Sequence, residues 1–528
     1  MSFKELIGQL PKVANVLNQL RTQAQQDPNL IRELQKWGLD PTQPPKNPDA
    51  IYAWTIVKYY DESQSQPKQA IVNLFGEDEI KKTFVENFNA NDLPNFLKRA
   101  KNFIDRKGLG TEFREEQINL RAEIQNFCHV YTKVSEWTKS PLEVLKDTEL
   151  RNFPKSSPYP EEFKALIQRK IELFCGREFV FQQIQQFIYH NSNGYFTIIG
   201  DAGMGKSTIA AKYVLSHECP CYFNIRAEGR NTPELFLKSI RQQLVNRYWL
   251  PNAKDDNLPT LLQKISDRLL DDERLVIVVD ALDEVEQQER DKNILSLPTS
   301  LPNKVYFLLT RRPYTQENKR LYTQGVAESE LDLRIQEYAA SSREDVKKYI
   351  WLFLENTKYQ YLKKWIEQRK IAPLTFVEQV AEKSENNFMY LYHLLPGIDR
   401  GEYNDLALDK FPKGLEEYYQ THWVRMGMDT DPQESMVFFL FILVEISTAI
   451  PSEMIAEIAE EDEYDVQTVL DQWVEYLKEQ TIDGKTCYSI YHTSFLDFLK
   501  SKRELKKTRK LFEKVNQRIS QYFIKKMG

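Results

Sequence analysis

At 528 residues, with 41% hydrophobic and 12% aromatic residues, the chain has core material for roughly three to five structural units. Its formal net charge of −6 excludes a global attraction to nucleic acid or to an anionic membrane, so any such binding must be local. Five scattered cysteines, Cys128, Cys175, Cys219, Cys221 and Cys487, argue against a disulfide framework and fit a reducing cytoplasm.

In chain order, the opening stretch carries Lys4, Glu5 and Pro11 and lacks the apolar core of a signal peptide. Phe3, Leu6, Ile7, Leu10, Val13, Val16, Leu17 and Leu20 instead recur at helix spacing. Residues 1–150 read as an all-helical N-terminal domain interrupted by a loop at GLDPTQPPKNPDA, and hold no catalytic or metal-binding motif. A protein-contact domain, bound by an unknown protein trigger or effector, is the expectation; an effector of its own and a packing extension are the alternatives. Cys128-His129 is no dyad, because neighbours on a helix point about 100° apart. NFPKSSPYPEEF marks a linker, taken as 151–173.

The α/β segment follows. Phe196 to Ile199 predicts a strand running into Gly200-Asp201-Ala202-Gly203-Met204-Gly205-Lys206-Ser207, which fits G-x-x-x-x-G-K-[ST] and opens a helix. In such a loop the backbone N–H groups cradle phosphate, Lys206 adds charge and Ser207 offers an oxygen to Mg²⁺. Gly200, Gly203, Gly205 and Thr208 complete the phosphate-binding set. Cys219-Pro220-Cys221 is too short for a usual zinc pair. Leu275 to Val279 reads as a strand buried on both faces, ending at Asp280, the Mg²⁺ carboxylate. Asp283 and Glu284 lie just beyond, where either could polarise an attacking water. A third strand, Val305 to Leu309, leads to Thr310-Arg311-Arg312, and an arginine at that strand end can read a terminal phosphate.

Beyond the sheet, a Leu-rich helical stretch runs to about 410, and 413–500 alternates helices with a two-stranded pattern turning at Asp483-Gly484, as in a winged helix. The longest apolar run, Met436 to Val444, is about half what a bilayer requires. KSKRELKKTRK reads as the solvated face of a helix whose apolar side carries Leu499, Leu505 and Phe512; a nucleic-acid patch is the alternative.

Together these residues resemble the STAND class of P-loop NTPases, and within it the NACHT clade that includes NOD-like receptors. Asp280-Ala281-Leu282-Asp283-Glu284 is similar to the family's second motif, which leans towards Asp283 as the base, with Glu284 close behind. LLTRRP resembles its sensor, which puts that role on Arg312. LFCGREFVFQQIQQFI resembles the segment that packs beside the adenine, with Gly176-Arg177-Glu178 matching. EKSENNFMYLYHLL resembles the helical segment after the nucleotide domain, although Asn386 stands where a glycine is usual. FPKGLEEYYQTHW and YSIYHTSFLDFL resemble the two ends of the winged-helix domain, and the resemblance puts His492 on the β-phosphate of ADP.

The implied architecture is multidomain α/β plus α. It comprises the N-terminal helical domain, a parallel-sheet P-loop domain at 174–335, a helical domain at 336–412, a winged helix at 413–500 and a basic helical tail at 501–528. The implied ligands are ATP or ADP with Mg²⁺. The implied function is a slow ATPase acting as a signalling switch: an ADP-bound closed monomer that ATP converts to a homo-oligomer, in cytoplasmic defence or stress signalling such as antiviral innate immunity. A remodelling ATPase of the wider AAA+ type is an alternative, but no residue can be assigned as its trans-acting arginine. A transcription regulator binding DNA through the winged helix is another, against which net acidity speaks. Relatives usually continue into sensor repeats, whereas the chain runs on only from His492 to Gly528; sensing through a partner and truncation are the two readings.

Overall fold

The computed structural model describes residues 3–527 apart from 23–26, 63–67, 91, 117, 147–158, 254, 288–292, 314–320, 426–433, 447, 474–475, 491–492 and 502–508. The chain divides into two compact units. The first takes in Met1–Pro158 with Gln242–Asp256 and Arg268–Asp272.

Helices dominate the first unit, from Phe3–Thr22 to Pro141–Lys146. The opening periodicity explains the first of them: Leu6, Leu10, Val13, Leu17 and Leu20 are buried, and Pro11 lies inside the helix. Helix ends carry their usual signals. Asp92 accepts a bond from the Asn95 amide at 3.2 Å, and Gly108 closes Leu93–Lys107 at φ 70°. The core is aromatic, with Phe75 stacked on Phe127 at 4.0 Å and Phe84 edge-on to Phe127 at 5.1 Å. Arg121 lies over Tyr248 at 4.8 Å, so the later segment Gln242–Asp256 contributes to this unit's packing. Cys128 is buried here, and that burial pushes its thiol well above the usual range, which makes it inert.

The second unit is built on a five-stranded sheet, β1 (Gly194–Ile199), β2 (Cys221–Phe223), β3 (Leu275–Asp280), β4 (Val305–Arg311) and β5 (Ala327–Asp332), in the order β2-β3-β4-β1-β5. All four pairings are parallel. The three inner strands are buried throughout, which is why their sequences read as largely apolar runs, with Thr197 the one polar side chain inside β1. Because β4 separates β1 from β3, its C-terminal end falls between the P-loop and Asp280. In an open parallel sheet, ligands collect at those strand ends.

Beyond the sheet, helices from Gln336–Glu355 to Phe388–Asp399 lead into a three-stranded antiparallel sheet, β6 (Ile450–Pro451), β8 (Lys485–Ile490) and β7 (Leu477–Ile482), flanked by helices. Asp483 and Gly484, at φ 50° and 78°, form the two-residue turn between β7 and β8. One hydrophobic core runs from Val346 to Val515. The apolar helix Glu434–Ile446 lies inside that core, and no helix among the described residues is long and apolar enough to cross a membrane. In the basic tail, Arg509–Met527 buries Val515 and pairs Arg518 with Glu460 and Lys526 with Glu457. Leu505 lies outside the described residues.

Candidate functional site

A cavity of about 400 Å³ opens at the C-terminal ends of β1, β3 and β4. Gly203, Gly205, Lys206, Ser207 and Thr208 line one end of it; Gly200 closes β1 beneath the loop. Gly203 and Gly205 are left-handed, at φ 84° and 87°. The two glycines are needed for different reasons. A side chain at Gly203 would come within 2.2 Å of Asn387 Oδ1, whereas one at Gly205 would meet only ordinary contacts, with Phe388 at 3.9 Å and Arg177 at 4.0 Å, so glycine is required there for its backbone angle alone. Lys206 Nζ donates to the carbonyls of Gly200 at 2.7 Å and Asp201 at 2.9 Å, so its charge rests on the loop itself. Burial lowers its pKa, and the carboxylates of Asp283 and Asp280 oppose that shift.

Asp280 ends β3 buried at 4% exposure, its pKa raised by desolvation and held down by hydroxyls of Thr310 and Ser207. Ala281 follows at φ 55°, where a branched side chain would be strained, and its amide is taken by Thr310 Oγ1 at 2.9 Å. Asp283 and Glu284 then diverge. Asp283 accepts from the Arg312 amide at 2.9 Å and pairs with its Nε at 3.1 Å, so both its oxygens are engaged. Glu284 accepts a backbone bond from Arg226 at 3.1 Å, and burial raises its pKa to about 7. The two strand-end arginines also separate. Arg311 is buried and pairs with Glu330 of β5 at 2.8 Å, while Arg312 faces the cavity.

At the other end the walls are aromatic: Phe174, Tyr349, Phe388 and Tyr392. Arg177 organises this end as a buried hub. Its amide donates to Asp345 Oδ2 at 3.0 Å, Nη1 to Ser342 at 3.0 Å and Nη2 to the Met204 carbonyl at 2.7 Å. Gly176 sits at φ 70°, and a side chain there would meet Asp345 Oδ1 at 2.0 Å. Asn386, in the usual glycine position, adopts φ 62°, a left-handed geometry that asparagine tolerates. Its neighbour Asn387 caps Phe388–Asp399 and donates to the Ala202 carbonyl at 2.9 Å, while the Phe388 amide bonds the Gly203 carbonyl at 2.9 Å. The P-loop is therefore tied directly to the helical region.

Arg312 makes a second attachment, an ion pair with Asp497 on the helix Thr493–Ser501. His492 lies outside the described residues. Two residues, one lining the cavity and one beside it, escaped the sequence reading. Lys170 lines it from the helix Glu161–Ile171, in the segment expected to be a linker, and its pKa is lowered by burial against the pull of Asp280 and Glu284. That helix packs into the unit through the buried Phe163 and Ile167, an i, i+4 pair in EEFKALIQRKI that marks an amphipathic helix. Asn224, just beyond β2, donates to the Asp280 carbonyl at 2.6 Å. No sequence motif points to it.

The donor set fits a magnesium nucleotide. It offers an ammonium held by two carbonyls, a buried carboxylate bridged to two hydroxyls, and aromatic walls along the same cavity.

Comparison with known proteins finds several likenesses. Residues 2–141 match the family model "NACHT N-terminal Helical domain 5", and 177–312 match "Nephrocystin 3, N-terminal". An uncharacterised WD repeat-containing protein of Nostoc sp. is 30% identical over 126 residues, 24% of this chain and 8% of its own. Among solved structures, a STAND protein with a tetratricopeptide repeat sensor from Pyrococcus horikoshii is 16% identical, over 68% of this chain and 46% of its own, with TM-score 0.29. The Thermotoga maritima RuvB Holliday junction branch migration motor is 12% identical, over 62% of this chain and 95% of its own, with TM-score 0.22. The chain spans less than half of the Pyrococcus protein and a small part of the Nostoc one.

Proposed function

The chain belongs to the NACHT clade of STAND P-loop NTPases, and from that premise we propose that it is a nucleotide-controlled signalling switch, closed with ADP, opened to a homo-oligomer by ATP and reset by slow hydrolysis. The observation that carries this reading is Arg312. One guanidinium at the end of β4 is shared between Asp283, at the cavity, and Asp497, on the C-terminal helix Thr493–Ser501. A terminal phosphate competes for the same fork, because arginine binds phosphate and carboxylate with the same planar geometry. Occupancy of the cavity by a third phosphate therefore weakens the tie to the C-terminal helices. The side-chain exposures, 22% for Arg312 and 56% for Asp497, make that tie weak enough to exchange.

Within this reading Lys206 leaves the Gly200 and Asp201 carbonyls for phosphate oxygens, and Ser207 and Asp280 hold Mg²⁺. The metal supplies charge neutralisation at the phosphates. Thr310 orients Asp280 through its hydroxyl. Glu284 is the better general base of the two acids, since Asp283 is fully engaged by Arg312 while Glu284 titrates near neutrality. The aromatic end holds the base, and His492 completes the clamp on ADP as the family resemblance implies. Residues 413–500 act as the winged-helix arm that moves, and 1–150 as the protein-contact domain.

The test is Asp497→Ala, which frees Arg312 without touching the cavity's own lining. The variant is expected to release ADP several-fold faster and to assemble at lower ATP concentration, and His492→Ala to act in the same direction. Wild-type ADP release and assembly in an equally folded Asp497→Ala protein would contradict the switch.

A further inference from the structure

Beside the nucleotide cavity, past Asp280, lies a smaller chamber of about 170 Å³, whose polar lining includes Ser207, Asp280, Glu284, Lys170 and Asn224 together with Arg226, Glu228 and Lys478. Asn224 is 3% exposed. Its Nδ2 donates to the Asp280 main-chain carbonyl at 2.6 Å, and because a carbonyl only accepts, the orientation of the amide is settled by chemistry. Its Oδ1 has no hydrogen-bond partner among the described residues. A buried acceptor left without a donor is costly, so such an atom facing a chamber it shares with Ser207 and Asp280 points to a donor that arrives from outside the chain.

The donor can be named from its neighbours. Ser207 and Asp280, which share the chamber wall, are the two residues suited to a divalent cation, and Mg²⁺ keeps several waters when bound by so few protein oxygens. Water polarised by such an ion is a strong donor, and the chamber has room for several. The register places Asn224 one residue beyond the Phe223–Asp280 pair, so its position is fixed to that of the metal carboxylate by β-sheet pairing.

We propose that Asn224 is a positioning residue for the bound divalent cation, its Oδ1 accepting a hydrogen bond from a water in the cation's coordination shell. The inference rests on the nucleotide reading of the cavity. It makes Asn224 act on metal affinity through water, without touching the nucleotide. Partners of this kind typically carry about 10–100-fold of metal affinity.

The experiment titrates Mg²⁺ into the ADP-saturated full chain, and ADP into the chain held in EDTA, for wild type, Asn224→Ala and Asn224→Asp. The expected result is an Mg²⁺ affinity about tenfold or more lower in Asn224→Ala, with ADP affinity in EDTA within about twofold of wild type. Asn224→Asp keeps an oxygen facing the chamber and is expected to bind Mg²⁺ at least as tightly as wild type. Unchanged Mg²⁺ affinity in Asn224→Ala overturns the proposal, as does an equal loss of ADP affinity with and without Mg²⁺, which is the mark of a packing role. Should Asn224→Ala fail to fold, weakened Mg²⁺ binding in Asn224→Asp overturns it instead. Failure of the nucleotide reading looks different: wild type itself then binds no ADP, or binds it without response to Mg²⁺.

Discussion

The two ends of the cavity are built on opposite plans. At the phosphate end, the groups that would meet a ligand come from the tips of adjacent parallel strands, and their polar atoms are satisfied by one another or by the loop backbone: Lys206 on two carbonyls, Asp283 on Arg312, Asp280 on Thr310. At the aromatic end, Phe174, Tyr349, Phe388 and Tyr392 come from three separate segments, held in register by a buried ion pair of Arg177 and Asp345. The contrast teaches that charge at the phosphate end is poised for a ligand, whereas charge at the aromatic end is structural. Removing the first should cost binding and removing the second should cost the fold.

The largest expected effect tests the structural side. Arg177→Ala removes the guanidinium's bonds to Ser342 and to the Met204 carbonyl and its ion pair with the buried Asp345, which keeps only the residue-177 amide and Lys348 at 3.7 Å, a loss of about 3 kcal/mol. Denaturant melts of the nucleotide-free protein measure it, and a change under about 1 kcal/mol would move Arg177 into the ligand-binding class. Lys206→Ala sharpens the other side: ADP affinity is expected to fall about 10–100-fold while stability stays near wild type, since a partly desolvated charge has been removed. A fall in stability with intact ADP affinity would reverse the assignment of the two ends.

A smaller effect concerns pH. Because the folded-state pKa of Glu284 is raised from 4.5 to about 7, the folded protein holds this proton when the unfolded chain has lost it. Stability therefore falls as pH rises through that window, and the cost is complete above about 7. Glu284→Gln removes the penalty. The variant should match wild type below pH 4.5 and exceed it above pH 7 by on the order of 2 kcal/mol, allowing for partial exposure. Parallel stability profiles across that range would show that Glu284 is not desolvated.

The same contrast explains what could be read from sequence. The phosphate end was legible because each piece is a strand-plus-turn of a few residues: buried inner strands read as apolar runs, and the P-loop, Asp280 and Thr310-Arg311-Arg312 follow them directly. The edge strands were not. Cys221–Phe223 is only three residues long, and Ala327–Asp332 alternates exposed acids with small or apolar positions, as a strand paired on one side does. Lys170 was hidden because its helix, EEFKALIQRKI, follows a proline-rich stretch that reads as a linker. Asn224 carries no motif, and its buried Oδ1, without a hydrogen-bond partner among the described residues, is a product of tertiary placement. Which arginine faces the cavity, and which acid stays free of it, depend on pairings with Glu330 and Asp497 far along the chain.

The central claim is that the third phosphate, acting through Arg312, decides between a closed monomer and an assembly. The most direct measurement is the particle mass of the wild-type chain, freed of bound nucleotide and reloaded with ADP or with a non-hydrolysable ATP analogue, both with Mg²⁺. The account predicts a monomer with ADP and a larger assembly with the analogue, with Asp497→Ala shifted towards assembly. An identical mass in both nucleotide states, with both nucleotides shown to be bound, would contradict it.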